Sequence, residues 1–319
     1  MMRTRVVTAI LSASVTMTTA TLACAQDYPN RPVRIVTSGV GGGNDFVSRL
    51  IAQGISGPLG QPVIVDNRAS GVTPGLVVAR SAPDGYSVLV NGPGIWLAQF
   101  LRDDVPYDVE KDFAPVSIVD RSALLLVVHP SLPITSVKDL LAYAKAKPGA
   151  LNYSTGSTGS TSHLAPELFK AMTGVNMVRI PYKSGSQEII DLVAGQVQLT
   201  FSTGAAAPHA KSGKLRALAH TSDQPSTLYP GIPAVAEVVP GYRAVSFTAM
   251  FVPAKTPAAA IKRLNEVTVR LLRTPEAKER LFTNGAEAVG TSPEELMTAV
   301  RAEVVRWGKI IKDAGIKSD

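Results

Sequence analysis

Residues 34–46 read Arg34-Ile35-Val36-Thr37, then Ser38-Gly39-Val40-Gly41-Gly42-Gly43, then Asn44-Asp45-Phe46. A short β-branched run enters a glycine-rich turn, and the turn enters a helical pattern with Val47, Leu50, Ile51 and Ile55 on one face. The spacing predicts a strand, a loop whose backbone can approach a ligand closely, and a helix capped by Asn44 or Asp45. The first N–H groups of such a helix have no intrahelical partner and carry the positive end of its dipole, so the unit can hold an anion. The same glycines would also serve a tight strand-to-helix turn with no ligand. What separates the two readings is a second half-site elsewhere in the chain.

That second half stands at 151–172. Leu151-Asn152-Tyr153 reads as a strand, Ser154-Thr155-Gly156-Ser157-Thr158-Gly159-Ser160 as a loop of small and hydroxyl residues, and 161–172 as a helix. Between the two units, strands are expected at 62–65 and 86–90, with loops at 66–75 and 91–96 after them. Strand alternating with helix argues for parallel α/β sheets, whose ligands sit beyond the carboxyl ends of the strands. Leu124-Leu125-Leu126-Val127-Val128 is apolar throughout, as a strand buried on both faces should be. Further strands are expected at 178–182, 197–202, 215–219 and 244–252. Three helices close the chain, opened by Thr256-Pro257, Thr274-Pro275 and Ser292-Pro293, the last with Glu295 in the capping-box position. In the final helix Leu296, Val300, Val304, Trp307 and Ile311 form a packing stripe. The runs at 124–128 and 245–252 could carry the chain across and back between two α/β domains.

The first 25 residues read as a secretory signal: Arg3 and Arg5, an apolar and Ser/Thr stretch from Val6 to Leu22, then Ala23-Cys24-Ala25. A lipoprotein signal modified at Cys24 is the alternative, although Thr21 stands where an aliphatic residue is expected. Cys24 is the chain's one cysteine, so the mature protein would have neither disulfide nor thiol nucleophile. Losing Arg3 and Arg5 takes the formal charge from +7 to +5. The basic residues are scattered, which argues against nucleic acid but suits an anionic ligand. With 45% hydrophobic and 18% charged residues the chain is globular. No later run reaches the about 18 apolar residues of a membrane span. An exported protein of the Gram-negative periplasm is expected.

Catalytic and cofactor motifs are missing. The dinucleotide fingerprint fails because its third glycine falls on Asn44; no Gly-Lys-Ser/Thr completes a P-loop, and no G-x-S-x-G elbow occurs. The four histidines, His129, His163, His209 and His220, form neither H-E-x-x-H nor H-x-H. No catalytic residue, metal or cofactor is therefore expected. An exported hydrolase using Ser160 or a neighbouring hydroxyl remains an alternative of another class, as does a ligand sensor for a signalling receptor.

The chain resembles the Bug-type extracytoplasmic solute receptors, the substrate-binding proteins of tripartite tricarboxylate transporters. The resemblance is carried by Tyr28-Pro29-Asn30-Arg31-Pro32-Val33, the glycine turn with Asn44-Asp45, Leu59-Gly60-Gln61-Pro62 and Asp66-Asn67-Arg68. Further matches are Ala82-Pro83-Asp84-Gly85-Tyr86, Asp112-Phe113-Ala114-Pro115-Val116, Ser160-x-x-His163-Leu164, Pro181-Tyr182-Lys183 and 213–219, then Pro230-Gly231-Ile232-Pro233 and Gly241-Tyr242. It implies a two-domain clamshell of the type II periplasmic-binding-protein class, each domain a mixed, mostly parallel sheet flanked by helices. Domain 1 is expected to be 26–126 with 248–319, and domain 2 to be 127–247, with the ligand between them. The implied ligand is a small mono-, di- or tricarboxylate, the implied partners are integral-membrane permease subunits, and the receptor is expected to act as a monomer. Residues expected at the ligand are Ser38, Val40, Gly42, Gly43, Asn44, Asp45, Asn91, Trp96, Ser154, Gly156, Gly159, Ser160, His163, Tyr182 and Ser202. The chain departs from the family pattern at Thr37 to Val40, at Ser70 to Thr73, and at Ser202, where an Asp is common. Loss of that Asp disfavours ligands with an amino group, and Trp96 is the expected wall for an aromatic carboxylate.

Overall fold

The computed structural model describes residues 28–68, 71–156, 158–183, 185–202, 204–313 and 315–316. The expected signal peptide and its lipoprotein alternative lie outside these residues, as do Ala69 and Ser70 of the second loop. Eleven strands form two sheets among the described residues. In chain order they are β1 (Val33–Thr37), β2 (Val63–Asn67), β3 (Ser87–Asn91), β4 (Phe113–Ala123), β5 (Leu125–Val128), β6 (Asn152–Thr155), β7 (Val178–Pro181), β8 (Leu199–Ser202), β9 (Arg216–His220), β10 (Val245–Pro253) and β11 (Glu287–Ala288).

The first sheet runs β11-β4-β10-β3-β1-β2 and the second β7-β6-β8-β5-β9. Apart from the short edge strand β11, the two orders are the same topology. Each lobe supplies three strands in the order second, first, third. A strand at the crossover between lobes inserts next, β10 in one sheet and β5 in the other, and the lobe's last strand lies beside it. Pairing is parallel among β1, β2 and β3 and among β6, β7 and β8. It is antiparallel wherever β10 or β5 inserts. The chain leaves the first sheet after Ala123 and re-enters it at Val245, a few residues from the expected crossings at 126/127 and 247/248.

β4, the longest strand, has no counterpart in the elements expected from the residue pattern. Pro115 and Asp120 interrupt its apolar run, so neither a strand period nor a continuous apolar stretch stands out. Pro115 is accommodated because the β4–β10 register shifts beside it, and proline within sheets belongs at such irregularities. A second shift leaves Val119 without a partner on β10, between Ile118 and Asp120.

The helices bury the faces that the periodicity predicts. In Gly43–Leu59, Val47, Leu50, Ile51, Ile55 and Leu59 are buried against the first sheet, each contributing about 1.5–3 kcal/mol of apolar burial. Gly60 ends the helix at φ 70°, where its lack of a Cβ removes the left-handed penalty, and its N–H reaches the Gly57 carbonyl. Thr274 caps Pro275–Thr283, and Ser292 and Glu295 form the reciprocal box at Pro293–Asp313. Thr256 does not cap: its hydroxyl turns back to the Pro253 carbonyl and the helix begins at Ala258. Trp307 is core, buried with Leu296, Val300 and Ile311. No helix among the described residues is long and apolar enough to cross a membrane.

Candidate functional site

The carboxyl ends of the central strands of both sheets face one cleft, and the glycine loops converge on it. In the first lobe the loop after β1 is braced by amides and a carboxylate. Asn44 Nδ2 donates to Ser38 Oγ at 3.1 Å and to Asn91 Oδ1 at 2.7 Å, tying the β1 loop to the end of β3. Asp45 Oδ2 accepts the Gly41 N–H at 3.0 Å, and Asp45 Oδ1 accepts the Asn67 amide at 2.8 Å. Burial acts to raise the Asp45 carboxyl, but bonds from Arg49, the Gly41 N–H and Asn67 outweigh it and hold it below the ordinary carboxylate value. The expected cap by Asn44 or Asp45 is corrected: the helix starts at Gly43, Gly42 is the N-cap and no side chain caps it. Asn44 and Asp45 instead fold back to shape the loop, leaving the helix N-terminus open toward the cleft.

In the second lobe the loop after β6 is held by hydroxyls and a ring nitrogen. Ser162 Oγ accepts the Gly156 N–H at 3.0 Å and lies 3.0 Å from Ser160 Oγ. His163 Nδ1 accepts the Gly159 N–H at 3.1 Å. The helix Thr161–Thr173 follows Ser160, whose side chain again makes no cap. Arg179 stands behind this loop, donating to Thr155 and Thr158 at 3.0 Å each.

The lobes meet across the cleft through glycines set against backbone. A Cβ on Gly185 would come within 2.9 Å of the Gly41 carbonyl, one on Gly159 within 3.2 Å of Gly94 Cα, and one on Gly204 within 2.0 Å of Asn284. Three points of backbone-to-backbone approach thus surround a cavity of about 250 Å³. That is below the roughly 300–1,000 Å³ of drug-sized sites, so the occupant is small.

Ten of the expected residues line the cavity: Ser38, Val40, Gly42, Gly43, Asn44, Asn91, Gly156, Ser160, Tyr182 and Ser202. Five do not. Asp45 sits beneath the first loop, and Gly159 and His163 support the second. Ser154 lies under the cleft, donating to Glu188 Oε1 at 3.1 Å. Trp96 is corrected outright: it is 1% exposed and stacks on Phe247 at 4.9 Å, inside the core rather than on a ligand wall. An apolar neighbour in a buried strand gave its indole a better surface than the polar cleft.

The residue pattern missed the cleft's floor and its far wall. The floor is formed by Asp120 and Ser122 of β4 with Ser246 and Thr248 of β10, and Glu188 stands on the opposite lobe. Two buried acids in a cleft is the least expected feature. Glu188 is satisfied within its lobe, its Oε1 taking the hydroxyls of Thr200 at 2.7 Å and Ser154. Burial pushes its carboxyl up, against those two hydrogen bonds. Asp120 is likewise raised by burial, to about 7, with only the Thr248 hydroxyl opposing. A polar residue inside an otherwise apolar stretch, Ser117-Ile118-Val119-Asp120, was the available signal. Ser160 faces Ser162, and His163 Nδ1 is taken by a backbone N–H, so among the described residues neither supplies a nucleophile–base pair. No group of three or more His, Cys, Asp or Glu residues that could hold a metal occurs among the described residues.

Residues 47–316 match the tripartite tricarboxylate transporter family receptor. The chain belongs to that family. It is 35% identical over 300 residues to protein BugT of Bordetella pertussis, covering 92% of each chain. Among solved structures it is similar to R. palustris Rpa4515 with adipate, at 37% identity and TM-score 0.87, covering 91% of this chain and 99% of that one. It is also similar to MatC of Rhodopseudomonas palustris with bound malate, at 27% identity and TM-score 0.84, covering 89% and 100%. The family is one of solute-binding receptors, and both sheets and their flanking helices follow its two-lobed architecture.

Proposed function

We propose that this protein is a periplasmic receptor that captures a small aliphatic dicarboxylate between its lobes and delivers it to permease subunits of a tripartite tricarboxylate-type transporter. The lobes are residues 28–123 with 245–316, and 125–220. The observation that carries the reading is the meeting of two uncapped helix N-termini, at Gly43 and Thr161, across one small cavity. Each offers N–H groups and a positive dipole end to a carboxylate, and closure is favoured when one anion engages both. Relatives described with adipate and malate support the ligand class, and the family description supports delivery to a transporter. Trp96, the wall expected for an aromatic ligand, lies in the core and not in the cavity. The protein acts by binding and closing, with no catalytic step.

A thermal-shift and calorimetric panel tests this: adipate, malate, citrate, benzoate and free amino acids. An aliphatic dicarboxylate at a hundredfold excess over its Kd should add about 2.7 kcal/mol to stability. Stabilisation by amino acids and not by simple dicarboxylates would sink the reading.

A further inference from the structure

We propose that Asp120 binds the ligand as a neutral acid: its O–H donates to one ligand carboxylate at the floor of the cleft, so each dicarboxylate is captured together with a proton. The proposal rests on the dicarboxylate reading above and adds a residue and a charge balance to it.

Three observations carry it. Asp120 is 3% exposed, yet the residue lines the cavity, and its buried Oδ2 has no hydrogen-bond partner among the described residues. The Thr248 hydroxyl, directly across on β10, acts on its carboxyl. A buried polar atom without a partner is costly unless something arrives to satisfy it. Second, the β4–β10 register shifts between Ile118 and Asp120, and such irregularities re-aim side chains beside functional sites. Third, the charge inventory is wrong for an ionised Asp120. Among the described residues, the lining contains Asp120 and Glu188 against a single cation, Lys183, and no arginine. A dianion added to two ionised acids would place four negative charges against one lysine and the partial charges of two helix N-termini. Like charges sharing a site cannot all ionise.

Of the two acids, Glu188 already receives hydroxyls from both Ser154 and Thr200, whereas Asp120 has an oxygen to spare. Around Asp120, β10 presents Thr248 and β11 presents Ala288. Arg121, the adjoining residue, is exposed, pairs across with Glu287 in the register and acts on Glu303 of the last helix. The helix Ala258–Leu272 turns Asn265 to the Val116 carbonyl and Thr268 to Met250. Glu188 and Lys183 face it across the cleft. Burial already raises its carboxyl to about 7, and an adjacent ligand carboxylate raises it further. A neutral acid has one hydrogen to donate; Oδ2 has no partner among the described residues, and a ligand carboxylate offers the acceptor.

The test is calorimetry of adipate binding at about pH 8 in buffers of different ionisation enthalpy, where adipate is a dianion and the proton must come from solvent. Wild type should take up close to one proton per adipate bound. Its affinity should fall about tenfold per pH unit once Asp120 is ionised in the free protein. Asp120→Asn supplies a donor that needs no proton. It should show no uptake, lose that slope and bind adipate more tightly than wild type at about pH 8. Asp120→Ala should bind more weakly than Asp120→Asn throughout. Adipate binding by wild type without proton uptake overturns the proposal and leaves the dicarboxylate reading standing. So does a loss of binding in Asp120→Asn equal to that in Asp120→Ala, which would mean that a donor at this position does not serve adipate. The wild-type proton count holds even if a variant fails to fold. Absence of any carboxylate binding would remove the dicarboxylate reading, and this proposal with it.

Discussion

In the lobe built on β1, the glycine loop is tied by Asn44, Asp45, Asn67 and Asn91, with Arg49 bonded to Asp45 at 2.9 Å. In the lobe built on β6, the equivalent loop is held by Ser162 and His163 within its own helix's first turn, and from the neighbouring strand by one guanidinium, Arg179, bonded to Thr155 and Thr158. Both loops open a helix N-terminus to the same cavity. The first is cross-braced to two neighbouring strand ends and held by charge-assisted bonds, which are about twice as strong as neutral ones. The second has a single such brace, from Arg179, to hydroxyls rather than to a carboxylate, and otherwise depends on contacts within its own first turn. The difference assigns the first loop as a preformed half-site and the second as the half that adapts when the lobes close.

The sharpest way to break this comparison is to stop the halves from meeting. Gly204→Ala would place a Cβ 2.0 Å from Asn284 across the lobes, at a backbone conformation outside the left-handed region. Overpacking of this kind costs about 1–3 kcal/mol, so adipate affinity should fall by about 5- to 150-fold. The unliganded melting temperature should hardly change, and solution scattering should show that ligand no longer compacts the molecule. A lowered melting temperature with unchanged affinity would mean that the contact belongs to the resting state and not to closure.

Next in size is the brace of the first loop. Asp45→Asn removes the charge that holds the Gly41 N–H, Asn67 and Arg49. Hydrogen bonds to a charged group contribute about 1.5–3 kcal/mol, and stability should fall within that range. The sign with pH follows from the depressed carboxyl. Its stabilisation is fully present above the unfolded value near 3.8 and is lost as pH falls through the lower folded value. Acid melts of wild type and Asp45→Asn should therefore differ at neutral pH and converge well below about pH 4. Curves that stay parallel into strong acid would show that Asp45 contributes shape alone.

The fold was legible where order is local. Apolar spacing placed the helix Gly43–Leu59, and Ser292 with Glu295 placed the start of Pro293–Asp313. Both glycine loops and their partnership could be read from small residues between a strand and a helix. What escaped depends on distant pairing. β4 is a strand because β10, more than a hundred residues later, pairs along nearly its whole length. Asp120 enters the cleft through a shift in that pairing, which no local pattern carries. Trp96 invites a ligand role by its size and its place after a loop. Phe247, which covers it, is remote in the chain. The same reason hides Glu188, whose partners Ser154 and Thr200 come from two other elements.

The smallest expected effect probes the second loop. Ser162→Ala removes the acceptor for the Gly156 N–H and the neighbour of Ser160 Oγ. Both contacts lie at the rim of the cavity, where water can replace the hydroxyl, so the cost to folding should be at the low end of about 0.5–1.5 kcal/mol. If this loop completes its order only on closure, the loss should appear mainly in binding, as a faster off-rate with an on-rate close to wild type. Asp45→Asn, acting on a half-site that exists before the ligand arrives, should slow association as well. Stopped-flow measurement of adipate binding to the two variants separates these cases. Equal slowing of association in both would mean that the loops are organised alike before binding, and that the difference in their bracing has no functional counterpart.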